Sequence, residues 1–190
     1  MIRRLWGRLA LAVASLLVGC AQLPVETVPL VTRQAALQFE LSGRIAAADG
    51  GRSVSAGVDW RHGATDEWRF VSPIGQVMAT IEAGPSGAVL YSAGRAPVGA
   101  ASAEELMQQT IGVAPPLNRV VAWIQAVPPT GSVVREIDAQ GRPVRLIDAG
   151  WVVEFLEYVG DEPQDRPRRL EISQGDARLR LVIDDWRALP

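Results

Sequence analysis

Alternation of apolar and polar residues is the feature that most constrains how this 190-residue chain folds. In residues 53–60, Val, Ala, Val and Trp alternate with Ser, Ser, Gly and Asp, so one side of an extended strand would be apolar. Similar segments recur, bounded by turn signals such as Asp49-Gly50-Gly51 and Gly84-Pro85-Ser86-Gly87. Strands and helices do not alternate. We therefore predict one strongly curved antiparallel sheet of about ten to eleven strands.

The pattern changes to a helical period in three places. Residues 33–38 predict a short helical stretch. Residues 102–105 form a capping box, in which a serine hydroxyl accepts the N3 amide and Glu105 reaches back to the cap, and this helix should end near Gly112. A second helix should begin at the prolines 115–116. Because so few short helices cannot easily cover so large an apolar sheet face, we expect an apolar cavity beneath them.

The first twenty residues indicate export. Three arginines precede an apolar run over residues 9–18, which is shorter than the roughly 20 residues that span a bilayer. Gly19 and Cys20 follow, in an order that resembles the bacterial lipoprotein signal, whose cysteine is acylated and becomes the mature N-terminus. We predict three parts: a removed signal peptide at 1–19, acylated Cys20 and a tether at 20–32, and a single domain at 33–190.

The acylated cysteine also predicts a location. Several acyl chains would hold the protein at a membrane, because each buried methylene contributes about 0.8 kcal/mol. Residue 21 is Ala and not Asp. In Gram-negative lipoproteins this pattern accompanies sorting to the outer membrane, so we expect a lipid-anchored protein on the periplasmic side of that membrane.

Composition excludes several functions. All 19 basic residues are arginines and three lie in the signal, which leaves 16 against 21 acidic residues and argues against nucleic-acid binding. A single cysteine and a single histidine, His62, exclude an intramolecular disulfide, a thiolate cluster and a His-rich zinc site. We expect His62 to be an exposed turn residue and not a catalytic base. No nucleophile elbow, P-loop or dinucleotide fingerprint is present, so no cofactor is expected.

Several motifs, taken in order, resemble the LolB family of outer-membrane lipoproteins. They are Trp60 together with residues 39–46, 72–76, 116–117, 123–128, 138–142, 150–153 and 181–186. Each motif is weak alone, whereas their order and the lipoprotein signal together are specific. The resemblance implies an incomplete antiparallel β-barrel with short helices as a lid over an apolar cavity. It also implies a protein without enzymatic activity or cofactor.

The resemblance further implies a monomeric receptor that accepts acylated lipoproteins from the periplasmic carrier LolA and inserts them into outer-membrane phospholipid. The family's membrane-inserting residue is an apolar side chain, usually leucine, in the loop that here is Pro73-Ile74-Gly75, so Ile74 would take that role. Periodicity leaves open which face of each strand points inward. We expect the acyl cavity to be lined by apolar strand residues, namely Val58, Trp60, Phe70, Val77, Ala79, Val89, Tyr91, Trp151, Val153, Leu170, Ile172, Leu179 and Leu181.

Two other functions fit the same sequence. A lipid- or acyl-binding sensor lipoprotein would have the same cavity but no transfer role and no need for an exposed Ile74. A structural adaptor of an outer-membrane assembly machine would have a filled interior. An envelope hydrolase using His62 is the least favoured alternative.

Overall fold

The computed structural model describes residues 28–190, which form one antiparallel sheet and two helices. The elements are β1 (Phe39–Asp49), β2 (Arg52–His62), β3 (Asp66–Val71), β4 (Val77–Gly84), β5 (Gly87–Ser92), β6 (Val98–Ala100), α1 (Ala103–Ile111), α2 (Leu117–Trp123), β7 (Val133–Ile137), β8 (Pro143–Asp148), β9 (Trp151–Tyr158), β10 (Pro167–Gln174) and β11 (Ala177–Ala188). The sheet order is β6-β5-β4-β3-β2-β1-β11-β10-β9-β8-β7. The prediction of a mostly β, antiparallel, incomplete barrel of about ten to eleven strands is confirmed.

Because every neighbouring pair of strands is antiparallel, the turns alternate between two ends of the sheet. We call them the Ile74 end, which carries the β3–β4 turn at 72–76, and the His62 end, which carries the β2–β3 turn at 63–65. The β5–β6 turn also lies at the Ile74 end. The β7–β8 turn, the β9–β10 loop and the start of β1 lie at the His62 end.

A β-bulge lies where the central strands β1 and β11 pair. Their register shifts between Ser42 and Gly43. A Cβ atom on Gly43 would lie only 2.1 Å from the carbonyl oxygen of Val182. Glycine is therefore required for the two backbones to approach each other here.

Both helices of the central segment form as predicted. The Ser102 hydroxyl accepts the Glu105 amide at 3.4 Å, and Gly112 ends α1 with a positive φ of 80°. Among residues 28–190 the Glu105 side chain makes no hydrogen bond back to Ser102, so the reciprocal half of the predicted capping box is absent there. The neighbouring Glu104 instead accepts the amide of Leu117 through Oε1 at 3.1 Å. Because Leu117 is the first residue of α2, this bond ties the two helices together.

The predicted helical stretch at 33–38 is wrong. Residues 28–36 contain no helix or strand, and their hydrogen-bond partners are distant in sequence. The Val31 amide donates to the Gly141 carbonyl at 2.8 Å. The Arg33 guanidinium donates to the Asp165 carbonyl at 2.9 Å, and Gln125 bonds both backbone groups of Ala36. We call residues 29–36 the N-terminal strap; it includes the last residues of the predicted tether.

Candidate functional site

The inner face of the sheet and the two helices enclose a small apolar cavity. Alternate residues of a strand share a face, so β1, β2, β3, β10 and β11 each present apolar side chains to the same side. The helices and the segment between them close the opposite wall. The lining residues are Leu41, Ile45, Val58, Trp60, Trp68, Phe70, Met107, Ile111, Pro115, Leu117, Val120, Ile172, Leu179 and Leu181. Every lining residue is apolar or aromatic.

The structure places ten of the thirteen predicted cavity residues on the inner side of the sheet. Six line the cavity: Val58, Trp60, Phe70, Ile172, Leu179 and Leu181. Four others are buried in the surrounding core: Ala79, Trp151, Val153 and Leu170. The periodicity of each strand therefore identified the inner face wherever one face is apolar and the other polar.

The prediction is wrong for Val77, Val89 and Tyr91. Strand β5 carries apolar residues on both faces, so periodicity does not choose between them. In the structure Ala88 and Leu90 point inward, while Val89 pairs with Glu82 and Tyr91 with Thr80 on the outer face. Tyr91 is 42% exposed, and Val77, beyond a register shift in the β3–β4 pairing, is 41% exposed.

The cavity is much smaller than an acyl-binding site requires. Its volume is about 50 Å³, which is room for only a few water molecules. Leu106 and Met107 of α1 and Trp123 of α2 are buried against the concave side of the sheet. The predicted apolar cavity is therefore present, but in this arrangement of the helices it is too small for an acyl chain, which could enter only if the helices moved.

Few polar contacts hold α2 in place. The Trp123 indole donates to Asp148 Oδ2 at 2.9 Å, and an Arg119 guanidinium nitrogen lies 3.4 Å from the other carboxylate oxygen. The Gln125 side chain, just beyond α2, donates to the carbonyl oxygens of Val121 and Ala36. The hydrogen bond between Glu104 and the Leu117 amide joins α2 to α1.

A cleft of about 380 Å³ adjoins the cavity at the His62 end and shares with it Trp60, Trp68 and Leu117. Asp66 Oδ1 lies in this cleft, where it accepts the Trp60 indole N–H at 2.8 Å and lies 2.7 Å from His62 Nδ1. The prediction that His62 is an exposed turn residue is wrong. Its side chain, 18% exposed, ends β2 and packs on the Phe39 ring at 4.9 Å between centroids.

A depression of about 500 Å³ on the outer face has a different chemistry. It is lined mainly by charged residues of β1, β2, β3 and β11. Glu40 forms ion pairs there with Arg187 and Arg61, and hydrogen bonds from these two guanidinium groups lower the pKa of its carboxyl. A charged surface of this kind does not suit acyl chains, so the apolar inner face is the better candidate.

The β3–β4 turn holds an apolar side chain out into solvent. The Ser72 carbonyl accepts the Gly75 amide at 2.8 Å, and the Ser72 hydroxyl accepts the Gln76 amide at 3.1 Å. Gly75 has a φ of 80°, which favours glycine. Pro73 and Gly75 are exposed, and Ile74 between them is 81% exposed. The turn is therefore defined by its own hydrogen bonds while its largest apolar group packs against nothing.

The predicted lipidation site, Cys20, lies outside the described residues. Among residues 28–190, no helix is long and apolar enough to cross a membrane. Within the same residues, no three His, Cys, Asp or Glu side chains are grouped so that they could hold a metal ion.

The fold has a counterpart among solved structures. A LolA superfamily protein from Nitrosomonas europaea superposes with a TM-score of 0.50 at 11% identity, covering 83% of this chain and 90% of that one. This likeness concerns the fold alone. The protein is thus an open antiparallel sheet that wraps two helices on an apolar concave face, with the overall fold of that solved structure.

Sequence comparison identifies the family. Residues 37–186 match the family model of outer membrane lipoprotein LolB. The outer-membrane lipoprotein LolB of Azoarcus sp. (strain BH72) is 41% identical over 188 residues, covering 98% of this chain and 97% of the relative. That of Thiobacillus denitrificans is 32% identical and covers 90% and 92%. The chain belongs to the LolB family, and it is a lipid-anchored outer-membrane lipoprotein of the lipoprotein-localisation system.

Proposed function

We propose that this protein accepts acylated lipoproteins from the periplasmic carrier LolA on the inner face of its sheet and releases them into outer-membrane phospholipid. It acts as a monomer, without catalysis or cofactor. The observation that carries the proposal is an inner cavity lined only by apolar and aromatic residues and closed on one side by two short helices. Few polar contacts hold those helices, so the apolar wall behind them can be uncovered.

The physics of the cargo supports direct transfer. Exposing acyl chains to water costs about 0.8 kcal/mol per methylene, so a carrier must pass them into an apolar acceptor and not through solvent. Transfer without an energy source requires this protein to bind the chains more tightly than the carrier does, and the bilayer to bind them more tightly still. Because the cavity holds only about 50 Å³, accepted chains must displace α1 and α2 from the concave face.

The nearly filled interior also favours a second candidate, the structural adaptor, because such a protein has no need of an interior that opens. Incubating the carrier–lipoprotein complex with this protein and recovering each partner separates the two. A photo-crosslinking residue at Phe70, on the inner face, should capture the lipoprotein, whereas the same residue at Leu156, exposed on β9, should not. If the lipoprotein stays with the carrier although the protein is folded, the receptor function is refuted.

We assign Ile74 to the delivery step. An apolar side chain that packs against nothing in the domain can bury itself in a membrane, where it gains about 1.5 to 3 kcal/mol. That is too little to anchor the protein but enough to bias this end of the sheet toward the bilayer. Ile74→Glu should leave folding and cargo acceptance nearly unchanged and block insertion of cargo into liposomes, whereas Ile74→Leu should be neutral. Wild-type insertion by the glutamate variant, or loss of cargo binding, would contradict this role.

A further inference from the structure

Exposed apolar side chains concentrate at one corner of the sheet. Of the eleven large hydrophobic residues that are exposed among residues 28–190, five lie between positions 74 and 98. These five are Ile74, Val77, Met78, Tyr91 and Val98, and they belong to β4, β5, β6 and the β3–β4 turn. A concentration of this kind on a soluble domain usually marks an interaction surface.

Strand register brings Met78 and Tyr91 together. Thr80 pairs with Tyr91, so Met78, two residues before Thr80, is the diagonal neighbour of Tyr91 on the outer face. Diagonal neighbours lie about 7 to 8 Å apart, within reach of an aromatic and a long side chain. Ile74 and Val77 continue the surface toward the Ile74 end. We call Ile74, Val77, Met78 and Tyr91 the β4–β5 patch; Glu82, farther along β4, marks its limit.

The chain segment that carries the β4–β5 patch has a net charge opposite to that of the whole chain. The protein as a whole is acidic, but residues 68–103 contain one acidic residue, Glu82, and two arginines, Arg69 and Arg95. Arg69 stands in the same cross-strand row as Thr80 and Tyr91, and Arg95 lies in the β5–β6 turn at the Ile74 end. Both are exposed, and neither forms an ion pair within the described part of the chain.

We propose that the β4–β5 patch is a second membrane contact, which lays the β3–β5 side of the sheet against an anionic phospholipid surface. Ile74 enters deepest, and Met78 and Tyr91 lie at the boundary between headgroups and acyl chains, where a ring with one polar end fits best. Arg69 and Arg95 contact lipid phosphates. The inference rests on the proposed delivery role of Ile74 and adds the orientation in which delivery occurs.

The reach of the anchor agrees with this orientation. The N-terminal strap is docked at the His62 end, opposite Ile74, through the bond between Val31 and Gly141. Eight residues lie between Cys20 and Pro29, and the nine steps along the chain span about 30 Å at full extension. Strand β1, with 11 residues, is about 36 Å long. An upright barrel resting on its Ile74 end would hold Pro29 farther from the membrane than this tether reaches, whereas a barrel lying on its β3–β5 side brings Pro29 closer to the membrane.

The test uses the full lipidated protein in vesicles. Cys20 is the only native cysteine, so in the acylated protein a cysteine introduced elsewhere is the only free thiol. A fluorophore is attached at Met78→Cys, Tyr91→Cys and Ile74→Cys, with Leu156→Cys as the matched exposed control on β9. The vesicles contain phosphatidylcholine alone or with phosphatidylglycerol, and quenching by brominated acyl chains reports membrane contact.

We expect quenching at positions 74, 78 and 91 and none at 156. Arg69→Glu or Arg95→Glu should weaken membrane binding, reported by this quenching, about fivefold, and only when phosphatidylglycerol is present. Quenching at 74 but not at 78 and 91 overturns the second contact and leaves the role of Ile74 intact. Quenching at none of the patch positions refutes both. Equal quenching at 156, or protection of positions 78 and 91 by the carrier instead of lipid, also overturns the inference.

Discussion

Asp148 holds helix α2 on the sheet, and its removal should loosen the helices that fill the interior. The residue ends β8 and is only 3% exposed. Its carboxylate accepts the indole N–H of the fully buried Trp123 at 2.9 Å and faces Arg119 at 3.4 Å. Asp148→Ala removes this acceptor and leaves the indole nitrogen unpaired among apolar groups.

The magnitude follows from that unpaired donor. A hydrogen bond to a charged group contributes about 1.5 to 3 kcal/mol, and a buried donor left without a partner costs about 1 to 3 kcal/mol. We therefore expect Asp148→Ala to lower the free energy of unfolding by about 2 to 3 kcal/mol. Asp148→Asn keeps a carbonyl oxygen for the indole and should cost about 1 kcal/mol or less. A loss of 2 kcal/mol raises the population of a displaced α2 by roughly 30-fold, if the loss falls on the α2 contact alone.

Two measurements check this prediction. Urea unfolding followed by tryptophan fluorescence gives the free energies, and binding of an apolar dye in the absence of urea reports uncovered inner surface. Asp148→Ala should unfold at a lower urea concentration and bind more dye, and Asp148→Asn should lie close to the wild type. If the alanine and asparagine variants behave alike, or if the alanine variant loses stability without binding more dye, Asp148 does not restrain α2.

Three further predictions follow from packing and charge. Trp151→Ala should cost about 3 to 5 kcal/mol in urea unfolding, because Trp151 is buried beside Trp123 at 6.5 Å between rings in the filled part of the interior; a much smaller loss would show a loose wall there. Gly43→Ala should destabilise the protein by about 1 to 3 kcal/mol, because the new Cβ would meet the Val182 carbonyl. Gly99→Ala, with open space around it, is the control, and thermal unfolding measures both variants. Burial raises the pKa of Asp138, but hydrogen bonds from Arg142 outweigh it and hold that pKa below its usual value. The stabilisation from this carboxylate is therefore complete above about pH 4 and is lost as the pH falls through the lower folded-state pKa. Asp138→Asn should weaken this acid dependence, measured as the free energy of unfolding between about pH 2 and 6. An unchanged acid dependence would contradict the assignment.

Local sequence patterns predicted much of the fold. The alternation in β2 and the boundaries of β7 and β9 follow from residues that are neighbours in sequence, and the structure agrees with them. The serine cap of α1 and the proline start of α2 are equally local, because a cap and a fixed φ act within one turn. The motif order that indicated the LolB family is also a property of the sequence alone.

Tertiary structure decided what depends on partners distant in sequence. The inward face of β5 is chosen by pairing with β4, because both faces of β5 are apolar and only one meets the core. The strap at 29–36 is not helical because its hydrogen-bond partners come from the β7–β8 turn, the β9–β10 loop and Gln125. His62 is half-buried because Phe39 and Asp66 surround it.

The size of the cavity was likewise beyond sequence reasoning. An apolar sheet face predicts that something apolar covers it but does not say whether helices or a ligand do so. Here side chains of α1 and α2 occupy the concave side and leave about 50 Å³. That outcome depends on how closely two short helices pack across eleven strands, and close packing is a property of the assembled core and not of any one segment.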